Sequence, residues 1–188
     1  MSNLKAILYP IALASAVAAC SQDTEVVQTE AAVESQAAAF SEFVAVLHPT
    51  DGNDVDGFVL FSNTDEGVRV AAQIRGLAPM SSHGFHIHEF GDCQAADASS
   101  AGGHFNPAGM PHGAPESEQR HDGDLGNLIA NDAGVAQSNM VDSELSFSGP
   151  DSILGRAVVI HAGADDLESQ PSGAAGPRVA CGVIGVGS

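Results

Sequence analysis

The chain has 188 residues, with 24 acidic and six basic side chains, and its formal net charge at neutral pH is −18. A chain of this length forms one domain with its own hydrophobic core. Because nucleic-acid affinity comes mainly from lysine and arginine side chains that neutralise phosphates, the acidic balance argues against DNA and RNA as partners.

The first twenty residues have the features of an export signal. Lys5 supplies a positive charge before a mostly apolar stretch at 6–19, which is too short to span a bilayer but suits a signal peptide. The stretch ends in VAAC, which resembles a bacterial lipobox, in which Cys20 is acylated and becomes the mature N-terminus. Cleavage after the Ala-x-Ala sequence at 16–18 is the alternative. We expect an exported protein in the periplasm, anchored to an envelope membrane only through a lipid on Cys20.

Residues 21–40 are predicted as a flexible tether. Their sequence is rich in Gln, Glu, Ala, Val and Ser, and it lacks lysine and the Gly and Pro signals of turns. A marginal helix is the alternative. The pattern changes after this segment, and 41–188 is the predicted folded domain.

From residue 41 onward, short apolar runs are bounded by turn residues, which is the pattern of antiparallel strands. Seven runs are predicted as strands, at 43–47, 57–61, 68–74, 85–89, 133–139, 156–161 and 178–186. Between 91 and 125 the chain is rich in Gly, Pro, Ser and His, and irregular loops this long are usually functional or disordered. About eight short strands without a helical period predict an all-β sandwich or barrel.

A His-x-His sequence in the predicted strand at 85–89 provides the first candidate metal ligands. Because side chains alternate along a strand, His86 and His88 share one face while Phe85 and Ile87 point into the core. Two imidazoles on one face form a clamp for a metal ion. Taken alone, the sequence also fits two surface histidines on a polar strand face.

Three imidazoles and one carboxylate follow one another in the long loop. They belong to His104, His112, His121 and Asp124. This set completes a tetrahedral zinc sphere without an open position, as in a structural zinc site. A His-rich, solvated loop is the alternative. His161 ends an apolar strand, and by itself it fits a buried strand-end histidine.

Four segments of the chain resemble the copper/zinc superoxide dismutases. They are GFHIHEFGD at 84–92, GHFNP at 103–107, HDGDLGN at 121–127 and RVACGVIG at 178–185. The sequences at 155–161 and 165–167 fit the same family in the same order, so the resemblance extends over 41–188. This family is itself an established example of the β-sandwich architecture. The resemblance implies an eight-stranded antiparallel Greek-key barrel or sandwich with long metal-binding and active-site loops.

The resemblance also assigns two metals and their ligands. The copper ligands would be His86, His88, His104 and His161. The zinc ligands would be His104, His112, His121 and Asp124. His104 would therefore bridge the two metals through both ring nitrogens, and imidazole suits copper and zinc alike.

Two further residues receive roles from the resemblance. Asp165, otherwise an exposed loop aspartate in an acidic chain, would accept hydrogen bonds from His86 and His112 and fix their orientation. Arg178, otherwise a surface arginine at a strand start, would lie beside the open copper position and attract a small anion.

The activity implied by the resemblance is dismutation of superoxide to dioxygen and hydrogen peroxide. Copper would alternate between Cu(II) and Cu(I), zinc would be structural, and His104 would supply a proton. A copper-storage or copper-delivery protein of the same fold is the alternative. Twenty carboxylates against five arginines give 41–188 a net charge of −15, so we expect guidance of superoxide to depend on Arg178 alone. The resemblance leaves open whether the protein forms a homodimer.

Cysteines of exported proteins tend to pair because their compartment is oxidising. With Cys20 acylated, Cys93 and Cys181 remain, either as two free thiols or as a disulfide that stabilises the fold by about 4 kcal/mol. The resemblance implies that they are bonded and that they pin the metal loop to the last strand. His83 is predicted as a structural hydrogen-bonding histidine and His48 as a surface residue.

Overall fold

Eight strands build the fold, and all neighbouring strands run antiparallel. The computed structural model describes residues 40–187. The strands are β1 Glu42–Pro49, β2 Asp56–Thr64, β3 Gly67–Arg75, β4 Ser82–His88, β5 Asp124–Ile129, β6 Ala136–Asp142, β7 Ala157–His161 and β8 Arg178–Val186. Within 40–187, the one helical element is the 3₁₀ turn Ser99–Ala101, and no helix there is long and apolar enough to cross a membrane. The predicted signal peptide 1–20 with Cys20, and 21–39 of the predicted tether, lie outside the described residues.

The strand order across the sheet is β5-β4-β7-β8-β1-β2-β3-β6. β8 pairs with β7 and also with β1, so it joins the two halves of the sheet. The sheet curls into a nearly closed barrel, and strands that are neighbours in space are often distant in sequence. This arrangement confirms the predicted eight-stranded antiparallel barrel of the Greek-key type.

Alternating apolar residues place the core inside the barrel. On β3, Val68, Val70, Ala72 and Ile74 are buried, whereas the residues between them are partly or fully exposed. Successive side chains on a strand point to opposite faces, so this pattern turns one face inward. Phe43 of β1 and Phe61 of β2 are completely buried, and burying a side chain of this size stabilises the fold by roughly 1.5–3 kcal/mol.

Two strands, β5 and β6, differ most from the prediction. β5 is absent from the predicted strands because Gly126 and Asn127 interrupt its apolar pattern, and its place is set by pairing with β4. The strand predicted at 133–139 lies at Ala136–Asp142 instead. The Oδ1 atom of Asn131 accepts hydrogen bonds from the N–H groups of Ala133 and Val135, and this turn occupies the start of the predicted strand.

A disulfide bond joins Cys93 to Cys181, with the two Cα atoms 5.8 Å apart. Cys93 lies in the loop between β4 and β5, and Cys181 lies in β8. The bond confirms the predicted pairing and excludes two free thiols. It ties the long loop to the strand that begins with Arg178.

The seam of the barrel lies between the edge strands β5 and β6. An isolated bridge joins Ala130 to Ala136 at one end of the seam. Near the other end, the buried side chain of Arg120 donates from Nη2 to both carboxylate oxygens of Asp142, at 2.8 Å each. Nη1 of the same arginine donates to the carbonyl oxygen of His121 at 3.0 Å. A planar guanidinium suits this forked arrangement.

Candidate metal centre

Two groups of potential metal ligands lie side by side and share one histidine. The first group is His86, His88, His104 and His161. The second group is His104, His112, His121 and Asp124. Within each group the candidate ligand atoms lie within 4.8 Å of one another, and all seven residues are buried. The structure thus brings together the two sets that the sequence resemblance assigns to copper and to zinc.

Strand pairing positions the first group. His86 and His88 lie on the face of β4 opposite the core residue Ile87. β7 pairs with β4 and ends at His161. His104 reaches the same place because an isolated bridge pairs its backbone with that of His88. Three strand positions and one loop position therefore converge on one point.

Each strand histidine of the first group gives one ring nitrogen to a protein acceptor. The pairs are His86 Nε2 with Asp165 Oδ2 at 2.7 Å, His88 Nδ1 with the Gly102 oxygen at 3.0 Å, and His161 Nδ1 with the Gly176 oxygen at 2.9 Å. These contacts leave Nδ1 of His86 and Nε2 of His88 and His161 for the centre of the group. Such outer partners fix the tautomer and the ring direction of a metal-binding histidine.

Asp124 Oδ1 lies at the middle of the second group. The Nδ1 atoms of His104, His112 and His121 are 2.7, 3.0 and 3.2 Å from it. The other carboxylate oxygen accepts hydrogen bonds from the N–H groups of Gly113 and His121, at 3.1 and 2.9 Å. These bonds hold the carboxylate in place. Three imidazole nitrogens and one carboxylate oxygen are a typical zinc set.

Unpaired ring nitrogens show that both groups suit metal ions. His86 Nδ1, His104 Nε2 and His112 Nδ1 are buried and have no hydrogen-bond partner. His112 Nδ1 approaches Asp124 to 3.0 Å, but without the geometry of a hydrogen bond. Because buried polar atoms are nearly always paired, such free nitrogens are the lone pairs that a bound metal would use. An all-imidazole set suits copper, and a set of three imidazoles with a carboxylate suits zinc.

Burial keeps the histidines of the first group in their neutral form. Desolvation lowers the pKa of His86 to about 3 and that of His161 to about 4. Desolvation also lowers the pKa values of His88 and His104. A neutral imidazole has a free lone pair, so these residues are ready to bind a metal at neutral pH.

The carboxylate of the second group stays charged. Burial by itself would raise the pKa of Asp124, but hydrogen bonds with His104 and His121 outweigh burial and hold this pKa well below its ordinary value. The negative charge is therefore available to a cation over the whole physiological pH range.

Asp165 is not a member of either ligand group, but its carboxylate contacts one histidine of each. Its Oδ2 lies 2.7 Å from His86 Nε2, and its Oδ1 lies 2.9 Å from His112 Nε2. Burial would raise its pKa, but the hydrogen bonds with His86 and with the Leu167 N–H hold it at about 2. A single buried carboxylate thus orients one histidine of each group.

Arg178 lies beside the first group. It begins β8 and is paired with His161 across the sheet. Its guanidinium donates hydrogen bonds to the carbonyl oxygens of Ala98 and Gly102. Its positive charge contributes to the low pKa values of His88 and His161. Burial lowers the pKa of Arg178 itself, yet an arginine side chain stays charged in proteins.

Three side-chain amides hold the loops in a way that the sequence does not reveal. Each amide donates to the carbonyl oxygen and accepts from the N–H group of one other residue, as a neighbouring strand would. The pairs are Asn106 with Met110, Asn127 with Asp165 and Gln170 with His112, and all six bonds measure 2.8 or 2.9 Å. Asn127 lies within a family-like segment, whereas no sequence signal distinguishes Gln170.

The two remaining histidines lie outside both groups. His83 is buried, with Nδ1 2.7 Å from the carbonyl oxygen of His161 and Nε2 2.6 Å from Ser81 Oγ. Both of its nitrogens are therefore used by the protein, as expected of a structural histidine. His48 is exposed on β1.

The chain also matches the sequence model of a known protein family. The family model described as copper/zinc superoxide dismutase matches residues 55–184 of the chain. The matched region contains both groups of candidate ligands, Asp165, Arg178 and the disulfide. β1 lies outside the matched region.

Proposed function

We propose, from the premise that this chain belongs to the copper/zinc superoxide dismutase family, that it converts superoxide to dioxygen and hydrogen peroxide. The observation that carries the proposal is the pair of buried ligand groups that share His104, with Arg178 beside the first group. In this proposal the first group holds copper and the second holds zinc. Copper in the first group supplies one-electron redox chemistry, and zinc in the second holds its ligands in place.

Arg178 binds and orients the substrate in this proposal. The carbonyl oxygens of Ala98 and Gly102 fix its guanidinium, so the remaining N–H groups have a defined direction. A fixed cation with spare donors attracts a small anion and aligns it without a further loss of side-chain freedom. The location of this charge next to His88 and His161 supports the assignment.

His104 holds and transfers a proton in this proposal. Its Nδ1 lies 2.7 Å from Asp124, which fixes the ring, and its Nε2 is buried without a partner. Nε2 can therefore carry a proton while the ring stays in place. Because desolvation lowers the pKa of His104, a proton held there is readily given to a reduced oxygen species.

The test is the rate of superoxide decay per bound copper, with both metals quantified on the same sample. A rate constant near the diffusional ceiling of about 10⁸–10⁹ M⁻¹s⁻¹ is expected for the enzyme. If both metals bind stoichiometrically and superoxide decays no faster than in buffer, the proposed activity fails. Storage or delivery of copper then becomes the better account of the same ligand groups.

We also propose that the protein is exported to the periplasm and anchored by a lipid on Cys20. The apolar stretch at 6–19 and the VAAC sequence support this location, and so does the disulfide, since disulfides persist in oxidising compartments. Labelling of the expressed protein with a tagged fatty acid tests the proposal. Label is expected on the wild type and not on Cys20→Ser, and an unlabelled wild type would overturn the anchor.

A further inference from the structure

We propose that Gln170 is a positioning residue for His112 and that it controls how fast zinc leaves the second ligand group. The inference rests on the proposed zinc set. It concerns a residue that touches no candidate metal-binding atom, in the loop between β7 and β8.

The amide of Gln170 contacts both polar groups of the His112 main chain. Its Oε1 accepts the N–H of His112 at 2.8 Å, and its Nε2 donates to the carbonyl oxygen of His112 at 2.9 Å. Nε2 also donates to the carbonyl oxygen of Glu168 at 3.1 Å, so the loop itself orients the amide. The amide therefore replaces the neighbouring strand that this segment lacks.

The imidazole of His112 is held by the same loop. Its Nε2 lies 2.9 Å from Asp165 Oδ1. The main chain of Asp165 is fixed in turn by Asn127 of β5, through bonds of 2.8 and 2.9 Å. His112 is thus held at its ring by Asp165 and at its backbone by Gln170, two residues of one loop that Asn127 ties to the barrel.

Both contacts determine where His112 Nδ1 points. This atom lies 3.0 Å from Asp124 Oδ1 and is the nitrogen left for the second group. Without Gln170, the His112 main chain would bond to water and could turn about the contact with Asp165. Loss of an outer partner typically weakens metal binding about 10–100-fold. Because Gln170 is exposed to solvent, we expect an effect at the lower end of that range.

Zinc transfer to a chromogenic chelator measures the effect directly. The protein loaded with zinc and copper is mixed with excess chelator, and release of each metal is followed separately. Gln170→Ala is expected to release zinc about 10-fold faster than the wild type, with copper release changed less than about twofold. Gln170→Glu is also expected to release zinc faster than the wild type. Its second carboxylate oxygen would face the carbonyl oxygen of His112, and two acceptors cannot form a hydrogen bond.

A matched control separates this role from the general loss of a glutamine. Gln137 is exposed on β6, and Gln137→Ala is expected to release both metals as the wild type does. Unchanged zinc release in Gln170→Ala would overturn the inference, and so would equal acceleration of zinc and copper release. A wild type that retains no zinc would overturn the proposed zinc set as well. Zinc retention without superoxide turnover would overturn the proposed activity alone.

Discussion

Arg120 and Asp142 form a buried ion pair across the seam of the barrel, with Nη2 of the arginine 2.8 Å from both carboxylate oxygens. Arg120 directly precedes His121, and its Nη1 donates to the carbonyl oxygen of that residue. The carboxylate of Asp142 also accepts the N–H groups of Glu144 and Leu145. One pair of charges thus connects the end of β6 to the loop that carries the second ligand group.

Asp142→Asn is expected to destabilise the protein by about 3 kcal/mol, because it leaves the charge of Arg120 buried without its counter-ion. Urea unfolding of the metal-free protein measures the change. The matched control is Asp56→Asn, which breaks an exposed ion pair with Arg75 and should cost less than about 1 kcal/mol. Equal effects of the two substitutions would contradict the role assigned to the buried pair.

The stability of the metal-free protein should fall as the solution is acidified. In the unfolded chain a histidine takes up a proton near its ordinary pKa of 6.5, whereas in the folded protein His86 and His161 do so only at about 3 and about 4. Between these values the unfolded state binds more protons, so acid favours unfolding. In this window His86 and His161 each change the free energy of unfolding by up to about 1.4 kcal/mol per pH unit.

Urea unfolding at several pH values tests this dependence with the disulfide intact. The free energy of unfolding should be highest above the ordinary histidine pKa and decline toward pH 4. His86→Asn removes one of these two titrating imidazoles. The free energy of unfolding of the variant should therefore fall less steeply on acidification than that of the wild type. A wild-type profile that stays flat on acidification would show that these histidines are not held neutral by burial.

Arg178→Ala should slow the bimolecular reaction with superoxide and change its salt dependence. At low ionic strength we expect a loss of about 10-fold or more, since a local positive charge raises the encounter rate of an anion. With Arg178 removed, only repulsion from the acidic domain remains, so added salt should increase the rate of the variant. Stopped-flow decay of superoxide over a range of ionic strength provides the measurement.

Arg69 serves as the control for this experiment because it is an exposed arginine on β3. Arg69→Ala changes the net charge by the same amount and should keep the wild-type rate within about twofold. A steep fall with added salt that persists in Arg178→Ala would mean that other charges guide superoxide.

Gly173→Ala should disturb the contact between Asp165 and His112. A Cβ atom at this position would overlap Asp165 Oδ1 and lie 2.7 Å from His112 Nε2, so glycine leaves the space that the carboxylate fills. Gly149 has a similar backbone, with φ of +73° against +62° for Gly173, but a Cβ atom added there would have no neighbour within 4 Å. The left-handed conformation costs alanine about 1–2 kcal/mol at either site.

The difference in stability between Gly173→Ala and Gly149→Ala therefore measures only the cost of disturbing the contact between Asp165 and His112. We expect Gly173→Ala to be less stable than Gly149→Ala by about 1–3 kcal/mol, the usual cost of inserting a group into a packed site. It should also lose zinc faster. Equal stability and equal zinc release in the two variants would show that Asp165 can move away without consequence.

Part of the barrel follows from the sequence because some of its strands, such as β3, alternate strictly between buried and exposed residues. The buried residues of β3 occur at every second position, and this period predicts one inward face without further information. β5 cannot be predicted from the sequence in this way, because Gly126 and Asn127 are poor strand formers. They belong to a strand only because β5 pairs with β4. The sequence thus predicts strands whose own pattern is strong and misses one that depends on its neighbour.

In the candidate metal centre, too, some features can be predicted from the sequence and others cannot. The alternation that puts His86 and His88 on one face is a local property, so it can be predicted from the sequence. The contact of Gln170 with His112 joins residues 58 positions apart through a loop without regular structure. Neither residue type nor spacing indicates such a contact, because it exists only once the loops have their final path.

The bond between Cys93 and Cys181 has a consequence for proteolysis. Together with the intervening chain it closes a covalent ring, and five of the seven candidate ligands lie inside that ring, at His104, His112, His121, Asp124 and His161. A protease that cuts once within the ring opens a loop but releases no fragment. A nicked molecule would therefore migrate as one piece until a reductant is added, and it would keep every metal-binding side chain attached to the same barrel.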